Sequence, residues 1–138
     1  MAEPIQHTVV LSGKIEDIIE RAKAVERILV PLAVELWRLD RRLAKLEGAR
    51  QDPAIQALFD QVRRIREVLE SAKVEIRDHT GASYADGTSL KVLAFEETKE
   101  IMPGQMRVLE TVKPTILWTG QIIEHGEVIV GIPPAQAR

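Results

Sequence analysis

The sequence contains no cysteine and few aromatic residues. The absence of cysteine excludes disulfide bonds, thiol catalysis and thiolate metal sites. Aromatic residues make up 4% of the 138 positions, whereas apolar residues make up 45% and charged residues 29%. This composition favours helices with a modest core over a large globular enzyme, and the length fits one ordinary domain or two small ones.

Long apolar runs and a basic excess are also absent. No apolar run reaches the roughly 18 residues that could span a bilayer, and the N-terminal Met-Ala-Glu-Pro has no basic region followed by an apolar stretch. The formal net charge of −2 provides no electrostatic attraction for nucleic acid or for an anionic membrane. We therefore expect a soluble cytoplasmic protein whose partners are neither nucleic acid nor membrane.

Recognisable catalytic motifs are missing. There is no glycine-rich phosphate loop, no nucleophile elbow and no metal-binding helix motif. His7, His79 and His125 lie far apart in the chain, and none has a ligand-type neighbour at helical or hairpin spacing. Trp37 and Trp118 are more typical of packing than of stacking on a ligand. We expect a binding protein and not an enzyme, with no catalytic residue, no metal site and no cofactor.

The sequence does contain a long heptad repeat over residues 11–46. A 3.5-residue period keeps one narrow seam facing a partner helix. The helix would be about 50 Å long, more than one small domain covers, so the expected partner is a second copy. Ser12 is the expected N-cap, and Pro31 is expected to kink the helix without ending it. The apolar positions alternate between spacings of four and three: Leu11, Ile15, Ile18, Ala22, Val25, Leu29, Leu32, Leu36, Leu39, Leu43 and Leu46.

A second heptad pattern follows a short loop. Gly48 is a suitable helix end, and Asp52-Pro53 is a strong start signal, with the carboxylate as N-cap. The pattern then continues through Ile55, Leu58, Val62, Ile65, Leu69, Ala72 and Ile76. The short loop makes the two helices an antiparallel hairpin, and one hairpin from each of two chains would form a four-helix bundle. The residues expected to hold this dimer are Leu29, Leu32, Leu36, Leu39, Leu43, Leu58, Val62, Ile65 and Leu69.

The second half of the chain changes character after about residue 77. Glycines and prolines separate five short β-favouring runs, at residues 90–95, 106–112, 115–118, 121–123 and 128–132. The expected fold class is therefore α+β, with a compact β-sheet or half-barrel after a dimeric helical bundle. The expected divisions are an N-terminal segment (1–13), a helical dimerisation region (14–76, helices about 14–47 and 53–76), a small β domain (77–132) and a tail (133–138).

The order of motifs from residue 84 to 130 is distinctive. Tyr84-Ala85-Asp86-Gly87 precedes a β run, and acidic Glu96-Glu97 follows it; further on come Pro103-Gly104, Gly120-Gln121 and a last β run at 128–130. This order resembles the GrpE family, the nucleotide exchange factors of DnaK-type chaperones. In that family a long dimerising helix leads to a four-helix bundle and then to a small β domain.

The resemblance implies a homodimer that binds the nucleotide-binding domain of a DnaK-type chaperone and promotes ADP release. It implies that the β domain makes the selective contact while the helices position it. Gln121 and Glu124 stand where the family has basic residues. The residues expected at or near the partner surface are Pro103, Gly104, Lys113, Gly120, Gln121 and Glu124.

Two other classes compete with this interpretation. One is a dimeric coiled-coil adaptor whose β domain binds a different protein, for example by adding a strand to a free sheet edge. The other is a carrier domain, because the sequence from Glu110 to Lys113 resembles the lipoyl-carrier motif Glu-Thr-Asp-Lys. The spacing from Lys113 to Gly120 is short for that fold, and Pro114 is unexpected beside a modified lysine.

Overall fold

The computed structural model describes residues 3–135, and describes side chains from residue 9 onward. Within these residues the chain is an α+β protein, which confirms the α+β part of the predicted fold class, and the dimeric helical bundle stays a prediction. Helix α1 spans Glu3–Ala44, a 3₁₀ turn spans Glu47–Ala49, and helix α2 spans Pro53–Ser71. The strands are β1 (Val74–Arg77), β2 (Lys91–Glu97), β3 (Arg107–Lys113), β4 (Thr115–Trp118), β5 (Gln121–Glu124) and β6 (Glu127–Ile132).

Helix α1 is longer at its start than the sequence indicated. Its 42 residues extend over about 63 Å. The helix is continuous across Pro31, as predicted, but Ser12 lies inside it and is not its N-cap. Most of the predicted N-terminal segment is therefore helical: proline is tolerated in a first turn, and residues 5–11 contain no glycine and no further proline. Residues 1 and 2 of that segment, and 136–138 of the tail, lie outside the described residues.

Helix α2 begins where predicted and ends earlier. Asp52 is the N-cap, because its Oδ1 accepts a hydrogen bond from the Ala54 amide at 2.9 Å. The helix was expected to reach residue 76, but it stops at Ser71, and Lys73 then takes a left-handed conformation with φ of 65°. Val74 and Ile76 belong to strand β1, so the heptad assignment of Ile76 is wrong. Alternating β-branched residues fit a strand that can pair with β4.

The strands of the described residues form two three-stranded sheets. Sheet A has the order β1-β4-β5 and is antiparallel throughout. Sheet B has the order β2-β6-β3, in which β2 runs parallel to β6 and β3 antiparallel to it. Each of the five predicted β runs is a strand with ends within two residues of the prediction. The expected sheet or half-barrel is instead a pair of small sheets, because β4 and β5 pair with each other and with β1, a sixth strand, and not with β2, β3 or β6.

Two hydrophobic cores correspond to this division. The first core joins the helices to sheet A and contains Ala33, Val34, Leu36, Leu43, Val62, Leu69, Val74 and Ile116. The second core lies within sheet B and contains Val108, Val128 and Val130, with Tyr84, Leu90, Val92, Met106 and Ile132 packed against it. The helices therefore share an apolar core with one sheet and not with the other.

The heptad seam of α1 separates into two columns with different surroundings. One column turns inward near the α2 hairpin, where Leu36 and Leu43 are buried and Leu29 packs against the first core. The other column recurs every seventh residue, and each of its side chains is at least 41% exposed. We call it the outer column; its members are Leu11, Ile18, Val25, Leu32 and Leu39. Leu46, the next position of the repeat, is equally exposed but lies in the turn after α1, because the helix ends at Ala44 and not near the predicted residue 47.

The residues expected to hold a dimer divide in the same way. Within one chain, the first core contains Leu36, Leu43, Val62 and Leu69, and Leu29 and Ile65 pack against it. Leu32, Leu39 and Leu58 are exposed. The single chain therefore uses most of the predicted seam internally and leaves the remaining positions open on its surface.

Candidate functional site

Gly120 and Gln121 lie at the β4–β5 hairpin, whose tip is held against the end of α2. Thr119 and Gly120 form the turn with φ values of 52° and 82°, and Gln121 pairs with Trp118. Positive φ at both turn residues matches the right-handed twist of the two strands. The Thr119 amide donates to the Lys73 carbonyl at 2.9 Å, which fixes the tip to the chain that leaves α2.

Lys113 and Glu124 form an ion pair in which Nζ lies 3.0 Å from Oε1. Lys113 ends β3 in sheet B and Glu124 ends β5 in sheet A, so the pair connects the two sheets. Both side chains are about one-third exposed, and Pro114, directly after the lysine, is fully buried. This Lys113 lies in a packed corner between strands and not at an exposed hairpin tip.

Pro103 and Gly104 lie at the opposite end of sheet B. Gly104, with φ of 79°, lies in the turn in which the Gln105 amide donates to the Met102 carbonyl at 3.1 Å. Strand β3 separates this turn from Lys113 by about 20 Å. The structure thus places Lys113, Gly120, Gln121 and Glu124 along the β4–β5 side, and it does not bring Pro103 and Gly104 to them.

An exposed apolar patch on sheet B was missed by sequence reasoning. Leu93 and Phe95 on the edge strand β2 and Met102 in the following turn are all exposed, and the Tyr84 ring meets Phe95 edge-on at 6.4 Å. The β run itself was predicted. Which side chains it would leave exposed depends on the pairing with β6 and on the bulge between Val92 and Ala94.

A cleft of about 1140 Å³ opens between the helical hairpin and β1. The ion pair of Arg66 with Asp40, at 2.7 Å, crosses from α2 to α1 beside it, and Trp37 and Gly120 are among its lining residues. Its walls carry charges of both signs around an apolar base. Sequence patterns contain no signal for this cleft, because its walls come from residues far apart in the chain.

A polar network surrounds the loop after β1. The Trp37 indole N–H donates to Asp78 Oδ2 at 2.9 Å, and Arg41 Nη1 donates to the Thr111 carbonyl at 3.1 Å. The Arg41 guanidinium also lies over the Trp37 ring, 4.6 Å from its centre. Helix α1 is thus connected by hydrogen bonds both to the loop after β1 and to strand β3. We call these contacts, together with the hydrogen bonds that His79 and Thr80 make to Thr111 and Thr115, the polar junction.

The pKa values of Asp78 and His79, two neighbouring groups of the junction, are both lowered. Burial acts to raise the pKa of Asp78, but hydrogen bonds donated by Thr80 and Trp37 outweigh it and lower that pKa. Burial lowers the pKa of His79; Asp78 opposes this shift and Arg77 adds to it. The junction therefore favours a charged carboxylate beside a neutral imidazole.

The described residues contain no group of three or more histidine, cysteine, aspartate or glutamate side chains placed to hold a metal ion. His7 belongs to the residues whose side chains are not described. Over the same part of the chain, no helix combines the length and the apolar character needed to cross a bilayer.

No family model matches the chain, and a search of curated proteins finds no match. The candidate site consists of an exposed heptad column on α1, a β unit with exposed turns and an apolar edge, and a polar junction between them.

Proposed function

We propose that this chain is a dimeric, GrpE-like nucleotide exchange factor that promotes ADP release from a DnaK-type chaperone in the cytoplasm. The observation that carries the proposal is the order and exposure of the parts. A long helix with an unpartnered heptad column leads to a short second helix, and then to a β unit that presents exposed turns at Pro103-Gly104 and at Gly120.

The outer column of α1 supports the dimeric part of the proposal. Five apolar side chains of α1 at seven-residue spacing lie in solvent on a single chain. Each leucine that a partner covered completely would contribute about 1.5–3 kcal/mol. A second copy presents the same column, so a two-fold axis along α1 would bury both at once. Leu58 on α2 is exposed and could extend the contact into a four-helix bundle.

The proposed activity requires binding energy and no catalytic group. Such a factor acts by binding more tightly to the open form of the chaperone's nucleotide-binding domain than to the closed form. A tenfold loss of ADP affinity requires about 1.4 kcal/mol of differential binding. A few contacts from the β unit are sufficient for this difference.

The test is release of fluorescently labelled ADP from the DnaK-type chaperone of the same cell, with and without this chain. We expect release to accelerate with added chain and to reach a plateau. No acceleration at saturating concentration would refute the proposal.

A charge-swap series makes the test specific to the proposed surface. Lys113→Glu and Glu124→Lys each break the 3.0 Å ion pair, whereas the double variant restores it with its polarity reversed. If this corner contacts the chaperone, the double variant will fold like the wild type and accelerate release about tenfold less. Arg63→Met, on the exposed side of α2, is the control and should behave like the wild type.

One observation favours a second candidate function, that of a dimeric adaptor. Strand β2 is an edge of sheet B and exposes Leu93 and Phe95, the kind of edge to which an extended segment of another protein can add. An adaptor would dimerise equally well but would leave ADP release unchanged. The labelled-ADP experiment therefore separates the two candidates.

A further inference from the structure

The chain's two hydrophobic cores lie in different bodies. The helices pack on β1, β4 and β5, so α1, α2 and sheet A form one body around the first core. Sheet B has its own core of Val108, Val128 and Val130. The two cores have no residue in common, so apolar packing alone does not determine how sheet B is placed on the rest.

Polar contacts fill the space between the two bodies. Thr111 on β3 is fully buried, and its hydroxyl accepts hydrogen bonds from the His79 amide and the Thr80 hydroxyl, both at 3.0 Å. Thr115 on β4 lies 2.7 Å from His79 Nε2 and accepts from the Gly126 amide at 3.1 Å. Thr111 thus connects strand β3 of sheet B to the loop after β1, and Thr115 connects strand β4 of sheet A to the same loop and to the turn between β5 and β6.

The fit at this boundary is close. A Cβ added to Gly126 would lie 2.7 Å from the Thr115 hydroxyl and 3.2 Å from the His79 ring, so only glycine allows the turn between β5 and β6 to approach β4 and the loop after β1 in this way. Among the described residues, no buried side-chain nitrogen or oxygen lacks a hydrogen-bond partner. A rotation of sheet B would break several of these bonds together.

We infer that the polar junction sets the orientation of sheet B relative to the helical body. Arg41, Asp78 and Thr111 are then positioning residues for any partner that binds sheet B, although they do not lie on its exposed face. Hydrogen bonds suit this role because they depend on direction, whereas apolar contact tolerates sliding. The inference about orientation is independent of the proposed function, and only its consequence for nucleotide exchange rests on that function.

Pulsed electron spin resonance tests the orientation directly. The chain has no cysteine, so two introduced cysteines are the only sites for spin labels. One label replaces exposed Arg42 on α1 and the other exposed Glu96 on β2, and labelled chains are diluted with unlabelled ones so that distances within one chain dominate. A second pair of labels, at Arg42 and Gln121, measures the distance from α1 to sheet A as an internal reference.

Each test variant removes the polar group of one side chain of the junction. Thr111→Val keeps the shape of the side chain and loses the buried hydroxyl, and Arg41→Met keeps the apolar stem and loses the bond to the Thr111 carbonyl. Thr98→Val, near the end of β2, and Arg63→Met are matched controls outside the junction. We expect both test variants to broaden the distance from α1 to β2 while the distance to sheet A stays narrow. The controls should leave both distances unchanged.

Nucleotide exchange supplies the second measurement. A loss of folded protein would raise the concentration needed for half-maximal ADP release and leave the plateau unchanged. Misplacement of sheet B would instead lower the plateau, by about fivefold or more for a lost buried hydrogen bond. Circular dichroism shows whether Thr111→Val is folded, and Arg41→Met tests the same junction if it is not. Wild-type distance distributions in folded Thr111→Val and Arg41→Met would overturn the inference, even if the wild type proves active in exchange.

Discussion

At the scale of single residues, Asp78 and His79 show how neighbours in the chain acquire opposite ionisation preferences. Asp78 receives directed hydrogen bonds from the Trp37 indole and the Thr80 amide, and these stabilise its charge. His79 faces the Thr115 hydroxyl at a partly buried site where a positive charge loses hydration. The sequence Asp-His-Thr-Gly contains only the Thr80 amide; the other partners, Trp37 on α1 and Thr115 on β4, are brought to it by the fold.

The lowered pKa of His79 predicts that stability falls in mild acid. In the unfolded chain the imidazole titrates near its ordinary pKa of 6.5, whereas in the folded chain its pKa is lower. As the pH falls below the unfolded value, the unfolded state binds the proton first, so the free energy of unfolding decreases. Urea unfolding at about pH 7.5 and about pH 5.5 should show this loss.

Two histidine variants identify the source of the pH effect. His79→Gln should show a weaker dependence on pH over the same interval because the titrating group is gone. His125→Gln, which removes only an exposed side chain near the Ser89 carbonyl, should keep the dependence of the wild type. An unchanged pH dependence in His79→Gln would contradict the assignment to His79.

At the scale of elements, α1 has two apolar columns in its heptad pattern. From Leu29 onward the inner column packs on α2 and sheet A, while the outer column stays exposed along the helix. A heptad repeat indicates that a helix has a partner but does not say whether the partner belongs to the same chain. Here α2 covers one column, and we propose that a second copy covers the other.

This division predicts different results for substitutions only a few residues apart. Leu32→Asp together with Leu39→Asp should convert the dimer to a folded monomer, because each lost leucine contact removes about 1.5–3 kcal/mol per chain. Leu36 is only 4% exposed, so Leu36→Asp should instead unfold the helical body by placing a carboxylate in the first core. Sedimentation velocity measures the association state, and circular dichroism measures the fold.

Leu36→Asp also serves as the comparison that separates loss of association from loss of folding. A Leu32→Asp/Leu39→Asp variant that sediments as the wild-type dimer would disprove the outer column as the interface. A wild-type chain that sediments as a monomer would also disprove the outer column as a dimer interface.

The sequence predicted the elements well where local signals agree. Asp52-Pro53 located the start of α2, and the turn glycines separated five of the six strands. The start of α1 and the strand β1 were missed. Ser12 resembles an N-cap but lies inside the helix, and Ile76 continues a heptad but lies in a strand. In both cases the local pattern was compatible with two structures, and other residues of the same chain determined which one formed.

At the scale of the whole molecule, two small cores predict two units of stability. The first core is built from side chains of both helices and of sheet A, whereas the second consists of three buried valines and the side chains around them. Regions with separate cores can open separately, and hydrogen exchange detects such partial opening. Sheet B should therefore exchange its amide protons more readily than the helical body.

Val130→Ala tests this separation. Val130 is completely buried in the second core, so the change should lower the opening free energy of β2, β3 and β6 by about 2 kcal/mol. Amides of α1, α2 and β1 should keep wild-type protection under native conditions. Equal loss of protection in both units would show that the chain opens as a single cooperative body.

By itself the sequence determined the α+β class, two amphipathic helices and five short strands. These follow from local periodicity, capping and turn chemistry, which act over a few residues. Only the tertiary structure decided that the outer column of α1 is exposed, that the strands form two sheets with separate cores, and that Arg41, Asp78 and Thr111 meet between them. These features depend on contacts between residues far apart in the chain, such as Arg41 and Thr111, which are 70 positions apart, and no local pattern encodes them.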